Sequence, residues 1–254
     1  MCVDVAYLSK EEVVYAASYG TVEEWKKIKS QLPPTYHANG YDEPSLPVIT
    51  AQGDPKVEVF DWPFIPFVYA PSKGGRPMNT LNARDDRIFH RNSVYYDAAV
   101  NRRCLIMLDG FFDHHHKNKV AYPYFITNRG GAPLMLGGLW QTFRRDDIER
   151  RTVSIVTTRA NSEMAYIHNE PAYSAESRMV FALQSKEEVQ TWLLGSEDDA
   201  RALIKPLPDG TLDHHPCHPI KSNKKLGRVY EGNVPEIQSY QYYPELEENQ
   251  GSLF

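Results

Sequence analysis

The stretch that decides the fold is Arg103-Cys104-Leu105-Ile106-Met107-Leu108-Asp109-Gly110-Phe111-Phe112-Asp113. Five consecutive apolar residues, Cys104–Leu108, followed by a polar break, read as a short strand buried on both faces. Working outward, similar β-branched and aromatic runs occur at Val57–Trp62, Tyr122–Thr127, Leu134–Trp140 and Thr152–Thr158. Polar turns such as Asn128-Arg129-Gly130-Gly131 separate them, a spacing that suits hairpins and not βαβ units. Ser9-x-x-Glu12, Thr21-x-x-Glu24 and Ser185-x-x-Glu188 have the pattern of capping boxes, where a hydroxyl and a carboxylate satisfy free N–H groups at a helix start. They predict helices near 10–18, 22–31 and 186–194, the last stopped by Gly195, with Val94–Asn101 as a connecting helix. The expected architecture is one α+β domain, a curved and mainly antiparallel β-sheet or barrel with flanking helices, over residues 1–237. From about Pro235 the composition turns acidic and polar, so residues 238–254 read as a flexible tail.

The 254 residues, 41% of them hydrophobic, suffice for a proper core. No long apolar run exists, and Asp4, Lys10, Glu11 and Glu12 interrupt the segment where a signal peptide would need continuous apolarity. Three cysteines without paired spacing fit a reducing compartment, and the expected location is the cytoplasm. The net charge of −5 speaks mildly against nucleic acid, yet its distribution is uneven. Between Lys73 and Arg103 seven cations face three acids, while acid gathers at Glu197-Asp198-Asp199 and in the tail. A basic stretch is more often a solvated face than a DNA site, so charge permits DNA binding without establishing it.

Cys2 carries the most specific chemistry. Cysteine is small enough for Met1 to be removed, which leaves an α-amine of pKa about 7.7–8.0 and a thiol near 8.5 on one residue. Such a 1,2-aminothiol condenses with an aldehyde to a Schiff base, and the thiol then closes a five-membered thiazolidine. An isolated Met-Cys start is usually just a start. Here it precedes an ordered set: Leu81-Asn82-Ala83-Arg84-Asp85-Asp86, then Asp109-Gly110-Phe111-Phe112-Asp113, then Thr157-Thr158-Arg159-Ala160-Asn161 with Ile167-His168-Asn169. With Trp62-Pro63-Phe64-Ile65-Pro66, Ser177-Arg178-Met179 and His218-Pro219-Ile220, this set resembles the SRAP (SOS-response-associated peptidase) family from Cys2 to about Ile237. Singly these residues read as a turn asparagine, a strand-ending aspartate and a partly buried histidine; jointly and in order they carry the resemblance.

The resemblance implies covalent capture of abasic sites in single-stranded DNA through a Cys2 thiazolidine crosslink. It makes Cys2 the nucleophile and gives Asn82 the hydrogen bonds that hold the Cys2 amine and the sugar. His168 would move protons at the opened deoxyribose, and Arg84 would contact a phosphate. Asp113 stands where the family carries glutamate, and Arg178 belongs to the R-M element. Val3-Asp4 replaces the family's Gly-Arg, and Asp86 replaces a glutamate. The R-M element lies ten residues beyond His168, which implies an insertion at Asn169–Ser177. Trp62, Phe67 and Tyr69 are candidate rings for stacking on bases, with core packing as their alternative.

No cofactor or metal is expected. His114-His115-His116 and His214-His215-x-Cys217-His218 alternate across strand faces and do not converge. The end, Gln250-Gly251-Ser252-Leu253-Phe254, resembles the bacterial sliding-clamp-binding peptide, so Gln250, Leu253 and Phe254 are expected to dock on that clamp. A monomer, bacterial or phage-encoded and nucleoid-associated, fits this picture. Two other classes stay open: a cysteine peptidase or amidohydrolase with an N-terminal nucleophile, using Cys2, His168 and Asp113, and a non-catalytic DNA-binding clamp adaptor.

Overall fold

The apolar run does form a strand, Arg103–Leu108, and every one of its six residues is buried. It is buried because it lies inside a sheet that curls back on itself. The computed structural model describes residues 2–51, 56–66, 80–145, 147–169 and 176–247. In chain order these form β1 (Asp4–Tyr7), α1 (Glu12–Ser18), α2 (Val22–Gln31), β2 (Thr35–Asn39), β3 (Ser45–Thr50), β4 (Lys56–Asp61), β5 (Asn82–Arg84) and α3 (Asp85–Ile88). Next come α4 (Tyr96–Asn101), β6 (Arg103–Leu108), β7 (Gly110–Lys117), β8 (Val120–Asn128), β9 (Leu134–Arg145), β10 (Ile148–Arg159) and α5 (Ser162–Ile167). The chain ends with β11 (Arg178–Val180), β12 (Ala182–Leu183), α6 (Lys186–Leu194), α7 (Glu197–Leu203) and β13 (Leu212–Pro216).

One sheet has the order β11-β10-β4-β3-β6-β9-β12, and β9 also pairs with β10, so the sheet turns into a partial barrel. The long β9–β10 hairpin supplies the regular part, from Ile148↔Arg145 to Ile155↔Gly138. A second sheet runs β13-β8-β7-β1-β2. Pairing is antiparallel except where β4 and β5 join β10. This is the α+β, mainly antiparallel single domain that the hairpin spacing predicts.

Trp25, Trp62 and Trp192 are fully buried in the main core between the sheets and helices. A smaller cluster of Ala6, Phe112, Phe125, Cys217, Ile220 and Ile237 lies apart from it. Alternation explains the division: Val5 and Tyr7 of β1 join the main core, while Ala6 joins the smaller cluster. Asp4 shares the parity of Ala6 and hydrogen-bonds His37, whose ring packs edge-on against Phe112.

Several boundaries differ from the sequence expectation. α2 opens with the expected capping box of Thr21 and Glu24. α1 does not start from Ser9, because the Ser9 N–H and hydroxyl both donate to Asp109 Oδ2 at 2.7 Å, and the helix begins at Glu12. The packed chain also extends past residue 237. Tyr240 bridges to Cys217, Gln241 N donates to Pro216 O at 2.9 Å, and the buried Tyr243 donates to Cys217 O at 2.8 Å. Among the described residues no helix is long and apolar enough to cross a membrane.

Candidate active site around Cys2

Cys2 is held at the start of β1, which is sandwiched between β2 and β7 with Asp4 opposite both Asn39 and Phe112. Gly40 N donates to Val3 O at 2.7 Å. A β-carbon on Gly40 would lie 2.5 Å from Leu81 Cδ2 and 2.8 Å from the Trp62 ring, so this approach requires glycine. Trp62 Nε1 in turn donates to Leu81 O at 2.9 Å, fixing the residue before Asn82. β5 lies parallel to β10, with Asn82 opposite Ile155. From there Asn82 Nδ2 donates to Cys2 O at 2.7 Å, while its buried Oδ1 has no hydrogen-bond partner. Cys2 is 3% exposed.

A carboxylate–imidazole pair comes from β7 and the end of α5. Asn161 caps α5 by accepting from Met164 N at 2.9 Å, and His168 closes it by donating its N–H to Met164 O at 2.7 Å. His168 Nδ1 then lies 2.9 and 3.1 Å from the two oxygens of Asp113. Asp113 is buried and also accepts from His114 N at 2.8 Å. The segment beyond His168 is fastened twice. Asn169 exchanges hydrogen bonds with the His116 backbone at 2.8 and 2.7 Å, and Ser177 Oγ donates to His168 O at 2.7 Å.

Burial pushes the Cys2 thiol well above its ordinary value; the terminal ammonium opposes this, and Asp113 and Asp4 add to it. Burial also works to raise Asp113, yet its carboxyl ends below the usual range. The terminal ammonium, the His168 hydrogen bond and charge, and the His114 N–H together outweigh desolvation. At neutral pH the site therefore holds a protonated thiol beside an ionised carboxylate that is already coupled to an imidazole.

The structure brings Cys2, Asn82, Asp113 and His168 together and places the other expected residues differently. Trp62 is fully buried, so its ring packs in the core and cannot stack on a base. Arg178 is 3% exposed; its guanidinium is held by Asp85 and by Thr157 O at 2.6 Å, so it braces β11 against β10 and offers nothing to DNA. Arg84 is partly exposed beside Asn82 but is clamped by Asp86, with Nε–Oδ1 at 2.9 Å and Nη2–Oδ2 at 2.7 Å. Phe67, Tyr69, Gln250, Leu253 and Phe254 lie outside the described residues. Among the described residues no group of His, Cys, Asp and Glu is arranged to hold a metal.

Two features escaped the sequence reading. A cleft of about 620 Å³ beside Asn82 is lined by Arg84, Arg87, His90 and Tyr95. A second buried network links Asp4 Oδ1 to His37 Nε2 at 2.9 Å and to Asn39 Nδ2 at 2.8 Å, with Tyr230 OH 2.8 Å from His37 Nδ1. Its signal was Asp4 in an otherwise apolar run, Val3–Leu8, which demands a buried partner.

Comparison with known proteins identifies a family and a fold. The family described as SOS response associated peptidase (SRAP) matches residues 1–223. The chain is 25% identical over 206 residues to the abasic site processing protein HMCES of Rattus norvegicus, covering 69% of this chain and 54% of that protein. It is 23% identical over 112 residues to the abasic site processing protein YMR114C of Saccharomyces cerevisiae, covering 44% and 30%. The chain thus matches between 30% and 54% of the length of these two relatives. A solved protein of Bacteroides thetaiotaomicron superposes with a TM-score of 0.74 at 27% identity, over 95% of this chain and 100% of the other. One from Bordetella bronchiseptica gives 0.67 at 22% identity over 84% and 98%, a likeness of fold. The chain belongs to the SRAP family.

Proposed function

We propose that this protein acts in DNA damage by capturing abasic sites in single-stranded DNA as a covalent Cys2 adduct. The observation that carries the reading is the Asn82–Cys2 hydrogen bond, which holds the start of the chain beside the Asp113–His168 pair. Once Met1 is removed, the Cys2 amine adds to the C1′ aldehyde of the ring-opened sugar, and the resulting carbinolamine loses water to give an imine. The thiol then adds across the imine, its proton passing to the nitrogen, so that amine, thiol and aldehyde become one thiazolidine and one water. The unpartnered Asn82 Oδ1 accepts from the amine or a sugar hydroxyl. Asp113, ionised and linked to His168, takes the proton from the amine and returns it to the departing hydroxyl. The protonated thiol waits for the imine, because burial disfavours free thiolate. The cleft lined by Arg84, Arg87 and His90 receives the neighbouring nucleotides.

The thiazolidine shields the aldehyde from strand-breaking β-elimination; an imine that fails to close permits lyase cleavage instead. The test is a denaturing gel with a uracil-containing single strand pretreated with uracil glycosylase. A heat-stable shifted band that vanishes in Cys2→Ala is expected. No band from a chain shown by mass spectrometry to lack Met1 refutes capture, and catalytic turnover of a peptide would assign the site to a peptidase. We also propose that Gln250, Leu253 and Phe254 bind the bacterial sliding clamp; deleting residues 250–254 should abolish a clamp pull-down, and undiminished binding refutes it.

A further inference from the structure

Of the seven cations that the sequence offers between Lys73 and Arg103, three are taken up inside the fold. Arg84 pairs with Asp86 and Arg102 with Asp97, while Arg103 is buried against the carbonyls of Ala99 and Trp192. A second group of free cations lies elsewhere. Residues 114–121 and 218–228 contain Lys117, Lys119, Lys221, Lys224, Lys225 and Arg228 and not one Asp or Glu, in a chain of net charge −5. The fold puts these segments face to face. A trough of about 360 Å³ lies between the β7–β8 turn and the 219–228 segment, lined among others by His116, Lys119, Lys221, Ser222, Asn223 and Arg228.

The trough is built, not a chance of flexible lysines. Arg228 donates to Ala121 O at 2.6 Å with its guanidinium 4.7 and 4.8 Å from the Tyr122 and Tyr243 ring centres, which ties one wall to the other. Asn223 and Arg228 close a bridge that shapes the opposing turn. Lys119 and Lys221 line it, and Lys224 and Lys225 follow on the same 219–228 segment; all four are exposed, and no salt bridge among the described residues uses them. The trough opens into a second cleft of about 510 Å³, with which it shares His114, Ile220 and Lys221. That cleft reaches Asp4, two residues from Cys2, and carries Tyr41, 66% exposed.

We infer that this trough seats the phosphates of the single DNA strand where it runs on from the nucleotide at Cys2. Cations spaced along a groove, with an exposed ring in the adjoining cleft on which a base can stack, suit a single-stranded polyanion. The inference rests on the reading that DNA is brought to Cys2, and it adds a second DNA-contacting face to the Asn82 cleft.

The test measures binding of the full chain to an unmodified oligonucleotide by fluorescence anisotropy as salt is varied, so no abasic chemistry enters. The triple variant Lys119→Ala, Lys221→Ala, Lys224→Ala is compared with Lys26→Ala, Lys27→Ala, Lys186→Ala, which changes the net charge equally on helices α2 and α6. Three lost phosphate contacts should reduce the log–log salt slope by about 2, and near ~0.1 M salt weaken binding up to about a hundredfold. The control triple should keep both slope and affinity, and thermal melts should match for all three proteins. Equal losses in the two triples, or none in the first, overturn the inference. A wild-type chain that binds through the trough but forms no covalent band refutes capture and leaves the trough standing.

Discussion

Replacing Asp113 with Asn tests the proposed chemistry at its centre. The carboxylate accepts His168 Nδ1–H across both oxygens, at 2.9 and 3.1 Å, and His114 N–H at 2.8 Å. The amide keeps one acceptor oxygen and turns an NH₂ donor toward a ring nitrogen or backbone N–H that already donates. It also removes the ionised carboxylate, which the terminal ammonium, His168 and the His114 N–H keep charged at neutral pH and which is the proposed proton acceptor. General acid–base catalysis is worth about 10²–10⁴ in rate, or about 3–5 kcal/mol of barrier. His168 remains, so the lower end applies, and the crosslinking rate constant should fall about a hundredfold. The assay is single-turnover adduct formation on an abasic single strand, followed by gel across pH, with thermal melts to confirm folding. The sign of the pH effect follows from the depressed carboxyl. The Asp113 charge contributes stability above its unfolded value of about 3.9, lost as pH falls through the lower folded value. The wild-type rate should fall in that same acid window, and Asp113→Asn should lose both dependences while Asp113→Glu restores most of the rate. An Asn variant crosslinking within about twofold of wild type, with an unchanged pH profile, would refute the proton-transfer assignment.

Asn82→Ala should slow adduct formation by about tenfold to a hundredfold, since misplacing the nucleophile by ~1 Å has effects of that order; stopped-point gels will read it, and an unchanged rate argues against anchoring by the Cys2 carbonyl. Gly40→Ala should cost about 1–3 kcal/mol through overpacking against Leu81 and Trp62, seen as a lower melting temperature together with slower capture. Arg178→Ala should destabilise by about 1.5–3 kcal/mol by stripping Asp85 and Thr157 of charged hydrogen bonds, while anisotropy shows DNA affinity unchanged. A large loss of affinity in the folded variant would restore Arg178 as a DNA contact.

What could be read from sequence was set by how locally each feature is encoded. β6, β9 and β10 were visible because their apolar or β-branched runs need no partner to be recognised. β3 was hidden by Pro47, which a central strand should not contain; it is tolerated because the pairing with β6 begins only at Val48. The histidines of β7 read as strand residues, but its extent was not legible: the strand runs on because β8 pairs with it as far as Lys117. The core of the candidate site was legible through ordered motifs, but the basic trough was not. Counting charges between Lys73 and Arg103 cannot show that Asp86 and Asp97 take up Arg84 and Arg102. The lysines that remain free lie about a hundred residues apart in sequence and meet only once β7, β8 and the 219–228 segment have packed.

The double fastening around His168 bears on how such a chain tolerates change. Asn169 is stitched to the second sheet, and Ser177 is stitched back to His168 itself. The position of the imidazole therefore takes its coordinates from the two stitches and not from the number of residues between them. Because the entropy of closing a span grows only slowly with its length, this is where a lineage can insert sequence, or an experimenter a fluorescent or affinity tag, without displacing the imidazole.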